Sequence, residues 1–362
     1  MYYRSWICAL LLAGLIPLQA QSYERSRELS RAFRATETTV LQIENKYGNI
    51  HLVPWDKDSI RFDIQFRVRG TKPSRVDRMF QDVDFDFTAN RYYVVGRTIF
   101  SNTMNSLWSE INDMTNILLS TDSRASIDYT VYYPERSPLR IDLRFGNIYA
   151  TDVAGKADIR LSNGDLKVHD FLAELSLDHQ FGNAFVSSMG QATLKLGYGE
   201  FELGEGGKLD VTGRAARIRI RQCEHLRLDS RRDRIRLESC DMVLGSASFS
   251  YIHIDRLKTD LSLTTTYGEL RISEIDPGFR QIDIRGSYTD IHLLYPAGTL
   301  FHYELTRSEK TRLNLSEPLR TSRESPDPTT PKTFIRSGKL GSNPGNMLKI
   351  KNTGGTISIL PK

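Results

Sequence analysis

The densest charge in this 362-residue sequence lies in RAARIRIRQCEHLRLDSRRDRIRLES, residues 214–239. Arg217, Arg219 and Arg221 alternate with apolar residues, so a period of two places them on one outward face. Arg234 and Arg236 repeat the first two phases further along the same stretch. Rows of guanidinium groups hold the sulfate or phosphate groups of a glycan, of lipid A or of nucleic acid through multidentate hydrogen bonds. The chemistry they suggest is capture of an anionic glycan or another envelope component. The competing reading is a solvated face balanced by Glu224, Asp229, Asp233 and Glu238.

Two cysteines fall in the same region. Cys223 and Cys240 belong to a column that otherwise reads Trp55, Val153, Phe171, Met189, Gly206, Leu257 and Ile275. That column points inward, so the sulfurs become neighbours. Their spacing falls within disulfide range, but parallel in-register pairs direct both Cβ atoms the same way. Two buried thiols are expected ahead of a disulfide. The histidines are dispersed, and no metal site, cofactor or catalytic residue is expected. G-x-S-x-G, H-E-x-x-H and Walker-type loops are absent from the sequence. Outward acids such as Asp165, Glu200, Glu202 and Glu269 are what a glycosidase would require. Acids are common on any such surface, so a polysaccharide-active enzyme remains an alternative and a non-enzymatic role is expected.

The element that positions these residues is a repeat. The phrase aromatic–Gly–Asn/Glu–apolar occurs at Tyr47–Ile50, Phe145–Ile148, Phe181–Ala184, Tyr198–Phe201 and Tyr267–Leu270. Corners fall at Gly146, Gly164, Gly182, Gly199, Ala216, Asp233, Ser250, Gly268 and Thr289, at nearly constant spacing. Two residues after them stand Ile148, Leu166, Ala184, Phe201, Ile218, Ile235, Ile252, Leu270 and Ile291. Two short alternating strands and one corner make a unit too small to bury its own apolar face. Stacking in parallel solves that problem. The expected fold is all-β: a parallel, right-handed β-solenoid of 17–18-residue, two-strand rungs with a small N-terminal α+β cap. Glycine is expected at the corner to supply positive φ.

NKYGNIHLVPWDKDSI, Asn45 to Ile60, followed by repeated Y/F-G-N/E rungs, resembles a family of secreted bacterial proteins of unknown function labelled adhesins. The resemblance implies a β-solenoid and an envelope or surface location, and it brings no catalytic residues.

The remaining segments divide the chain. Arg4, the apolar run WICALLLAGLIPL and LQAQS read as a signal peptide over residues 1–20, cleaved after Ala20. Export to the periplasm, outer-membrane surface or extracellular space follows, with no transmembrane span in the mature chain. Residues 21–36 form a lead-in, 37–64 the first rung, 65–135 the α+β insertion, 136–305 the solenoid, 306–346 a C-terminal loop and 347–360 the final rung. Within the insertion, a helix over 103–119 presents Leu107, Trp108 and Ile111 on one face. That face is expected to pack on the cap. Contact with an envelope protein is its functional alternative, giving a periplasmic regulatory protein. Hydrophobic residues at 39%, charged residues at 26% and a net charge of +5 exclude a disordered polyampholyte and permit polyanion binding. Nucleic acid is not an expected partner, because export removes it.

Overall fold

The computed structural model describes residues 22–101, 123–342 and 344–362. The leader-like segment and the expected helix with Leu107, Trp108 and Ile111 lie outside the described residues. The chain is all-β. The 24 strands of the described residues join one long, mostly parallel sheet that does not close on itself.

Alternation of apolar and charged residues makes the strands, and stacking of like residues sets their register. Strands β2 (Val40–Lys46), β8 (Leu139–Arg144), β10 (Ala157–Ser162) and β12 (Leu175–Gln180) pair in parallel. Ile43, Ile141, Ile159 and Leu177 thereby align. After each corner the second strands β3 (Ile50–Trp55), β9 (Ile148–Val153) and β11 (Leu166–Phe171) do the same with Ile50, Ile148 and Leu166. From Asn183 onward the two positions merge. Strands β13 (Asn183–Gly197), β14 (Glu200–Arg214), β15 (Arg217–Arg231) and β16 (Arg234–Ser248) each run through the second position of one unit into the first of the next. Strands β17 (Tyr251–Ile272) and β18 (Gln281–Tyr295) continue the pattern. The aligned Leu, Ile, Val and Phe side chains form a continuous buried column. An extra residue in β17 is absorbed as a register shift opposite Cys240 and Met242.

The segments 37–64 and 347–360, expected as the first and final rungs, are not the outermost layers. Strands β4 (Ser59–Gly70), β5 (Val83–Ala89), β6 (Tyr93–Phe100) and β7 (Ser123–Pro134) follow β3. β6 adds in parallel to β2, and β7 to β3, so a further layer covers that unit. β5 then closes antiparallel on β6, and β4 on β7. The lead-in is itself a strand, β1 (Tyr23–Arg34), antiparallel to β4. Because β4 is continuous, residues 59–64 belong to this cap. Helix α1 (Pro73–Gln81) seats Val76 and Met79 in the core, and Phe80 stacks on Phe66 at 5.1 Å. Pro73 starts the helix, where its missing N–H costs nothing.

The C-terminal end repeats the arrangement. Strands β23 (Met347–Asn352) and β24 (Gly355–Pro361) slot between β18 and the earlier strands β19 (Phe301–Ser308) and β20 (Thr311–Leu315). Residues 306–346 are therefore not a loop. They contain β20, the helical turn α2 (Glu317–Arg320), β21 (Glu324–Pro326) and β22 (Thr333–Leu340). β22 runs antiparallel on β19 and β21 on β22, so antiparallel strands continue the sheet at both ends. Asn45 and Asn352 occupy one phase near the two ends. Both are buried, and each donates its amide N–H to a neighbouring corner carbonyl at 2.8 Å.

Candidate anion-binding site

The corners decide what faces solvent. The residue before each corner position, not the glycine, takes the left-handed conformation. Phe145, Phe181, Tyr198, Ala215, Arg232, Phe249, Tyr267 and Tyr288 have φ between 51° and 61°. The glycines serve close approach instead. A Cβ on Gly164 would stand 1.8 Å from the carbonyl oxygen of Gly146, and one on Gly182 would stand 2.0 Å from that of Gly164. The left-handed residues project outward, and their rings stack from unit to unit. Phe181 and Tyr198 lie 4.9 Å apart, Phe249 and Tyr267 5.2 Å, and Tyr267 and Tyr288 5.3 Å.

Four of the five sequence-selected arginines are partnered by acids. Arg217 pairs with Glu200 at 2.7 Å, Arg219 with Glu202, Arg221 with Glu205 at 3.7 Å and Arg236 with Asp255 at 3.0 Å. The register explains this, because Glu200 and Glu202 are the direct parallel neighbours of Arg217 and Arg219. The counter-charges are these acids rather than Glu224, Asp229, Asp233 and Glu238. Asp233 is buried and accepts hydrogen bonds from Ser230 Oγ at 2.6 Å, Ala216 N at 2.7 Å and Arg231 N at 3.1 Å. Burial pushes its carboxyl up, and those hydrogen bonds oppose the shift.

Arg234 has no acidic partner or side-chain hydrogen bond among the described residues, and neither do Arg214, Arg231 and Arg232. All four are exposed and gather at one corner of two consecutive units. Arg214 is the register neighbour of Arg231, and Arg217 that of Arg234. Like charges so placed repel. The signal was in the sequence, since GRAARIR and SRRDRIR occupy the same phase. Beside the corner lies an open groove of about 430 Å3, whose lining includes Arg217, Arg234, Arg236, Tyr251, Arg271 and one carboxylate, Glu269. Arg271 is likewise without an acidic partner among the described residues.

Cys223 and Cys240 are buried, unlinked register neighbours. The contact with Cys240 and then burial push the Cys223 thiol up, and Cys240 Sγ donates to Met242 O at 3.4 Å. Neither sulfur faces the groove. Stacking also brings Asp152 and His169 together, which their places in successive repeats concealed. His169 Nδ1 lies 3.0 Å from Asp170 and 3.4 Å from Asp152, at the surface.

No family model matches the chain, and no curated protein matches it. Solved structures do. One, described as a "putative cell adhesion protein" from Clostridium sporogenes, is 10% identical with a TM-score of 0.23, over 93% of this chain and 100% of that one. A "putative adhesin" from Parabacteroides distasonis is 10% identical with a TM-score of 0.34, over 74% and 97%. A "putative lipid binding protein" from the same organism is 11% identical with a TM-score of 0.31, over 73% and 93%.

Proposed function

We propose that this chain is an exported, non-enzymatic, adhesin-like β-solenoid of right-handed, two-strand rungs that binds an anionic polymer of the cell envelope or surface. The observation that carries the reading is the unpartnered corner of Arg214, Arg231, Arg232 and Arg234. Four guanidinium groups on two adjacent layers repel one another until a polyanion bridges them. The groove at Arg234 and Tyr251 extends the same surface along the units. Of the acids that a hydrolase would draw on, Glu200 and Glu202 are occupied by Arg217 and Arg219, and Glu269 lies in the groove lining. The leader-like N-terminus supports export. Among the described residues no helix is long and apolar enough to cross a membrane.

The test is fluorescence anisotropy with a labelled sulfated glycan over a range of salt. Binding should weaken steeply as salt rises, as expected when phosphate- or sulfate-type contacts release counterions. Arg232→Glu with Arg234→Glu should abolish it. Salt-independent binding, or binding unchanged in the double variant, would overturn the reading.

A further inference from the structure

We infer that the level of Ala215 is a subsite for one sugar ring of an acidic polysaccharide, held between Tyr198 and Arg232. This rests on the anion-binding reading above and names its ligand class.

The left-handed column reads Tyr47, Phe145, Asn163, Phe181, Tyr198, Ala215, Arg232, Phe249, Tyr267 and Tyr288. Its rings stack nearly parallel, 7° apart for Phe181 and Tyr198 and 13° apart for Phe249 and Tyr267. The stack is interrupted by the single Asn163 between Phe145 and Phe181, and by two residues, Ala215 and Arg232, between Tyr198 and Phe249. Tyr198 and Phe249 are 58% and 51% exposed, and no cation covers either ring among the described residues. A Cβ in the left-handed region costs about 1–2 kcal/mol, so on backbone grounds alone this position favours glycine or asparagine, and Ala bears the same cost as a ring. Large rings there are offset by contact with neighbouring rings, and the ring faces at the break lack that contact.

The break has definite dimensions. Each parallel step is about 4.8 Å, so Tyr198 and Arg232 stand about 9.6 Å apart along the stack with only the Ala215 methyl between them. Apolar contact needs about 3.5–4.0 Å on each side. A puckered pyranose chair fills such a space better than a flat nucleobase does. Its C–H face packs on the exposed Tyr198 ring, which carries negative charge on its face. A ring parallel to Tyr198 directs the polymer across the corner rather than along the stack. Its acidic substituents then meet Arg214 and Arg231 on one flank and Arg234 on the other. The break in the ring stack and the unpartnered arginines coincide at this one place in the described structure.

The experiment is titration calorimetry of the full chain with a galacturonic acid hexamer, and with inorganic polyphosphate as a charge-only probe. Ala215→Phe extends the ring stack by one ring beyond Tyr198 with a residue type already present in the column, so the fold should persist, checked by its melting temperature. Uronate affinity should fall about tenfold or more, roughly 1.4 kcal/mol, while polyphosphate affinity is unchanged. Tyr198→Ala, which removes the stacking face without filling the space, should weaken the uronate alone. Equal uronate binding by wild type and Ala215→Phe would overturn the subsite while leaving the anion-binding surface standing. Failure of wild type to bind either probe would overturn both. Tighter binding of a single-stranded DNA oligomer than of the uronate at equal salt would overturn the sugar assignment.

Discussion

Glycine at the corners is a matter of space. Gly146, Gly164, Gly182 and Gly199 pass each other so closely that each missing Cβ would lie within 2.0 Å of the preceding corner's carbonyl oxygen. Backbone atoms cannot rotate aside, unlike the end of a side chain. Gly182→Ala should therefore cost about 1–3 kcal/mol or more, the range for forced overpacking, read as a lower midpoint in urea unfolding. Phe181→Gly, by contrast, leaves the close approach intact and relieves a positive φ, so its loss is confined to ring stacking. The sequence made the corner phase plain but reversed the two roles. A pattern of residue types does not distinguish a glycine required by φ from one required by a neighbouring chain. The partners of the arginines are hidden in the sequence for a related reason. Arg217 and Arg219 look unbalanced along the chain, yet their acids, Glu200 and Glu202, lie one repeat earlier in the same columns.

Elements in the repeating core were legible because the same apolar class returns at one phase through successive units. The ends were not, because β4–β7 and β19–β22 lack the period. They read as an insertion and a loop, whereas both supply an extra parallel layer and then antiparallel strands. At the C-terminal end the closing strands are joined by charge. Glu324 on β21 accepts two hydrogen bonds from Arg307 on β19, both 2.8 Å, and Arg336 on β22 lies 3.9 Å away. The Arg307 hydrogen bond first, opposed by burial and aided by the Arg307 and Arg336 charges, holds the Glu324 carboxyl below its usual range. A carboxyl depressed in the folded state stabilises above its unfolded pKa, about 4.3, and loses that contribution as pH falls through the depressed value. Glu324→Gln should therefore melt below the wild type at neutral pH. The difference should shrink as pH drops below about 4.3. A gap that stays constant or widens in acid would contradict the assigned role.

At the scale of the whole molecule, stacking turns a one-dimensional pattern into surfaces. A column of identical phase becomes a stripe, and an exception in the column becomes a local site. The Arg217, Arg219 and Arg236 stripe is partnered and adds little net field. The exception, where the ring column gives way to Ala215 and Arg232, gathers Arg214, Arg231 and Arg234, whose side chains have no acidic partner among the described residues. The central claim is that binding centres on this corner and not on the partnered stripe. Its most direct test compares two double variants, equal in charge change, in one glycan-binding assay at fixed salt. Arg231→Glu with Arg232→Glu should reduce affinity about tenfold or more, roughly 1.4 kcal/mol. Arg219→Glu with Arg236→Glu should reduce it much less, as expected for a change at the margin of the field. Equal losses, or the larger loss in the second pair, would contradict the account.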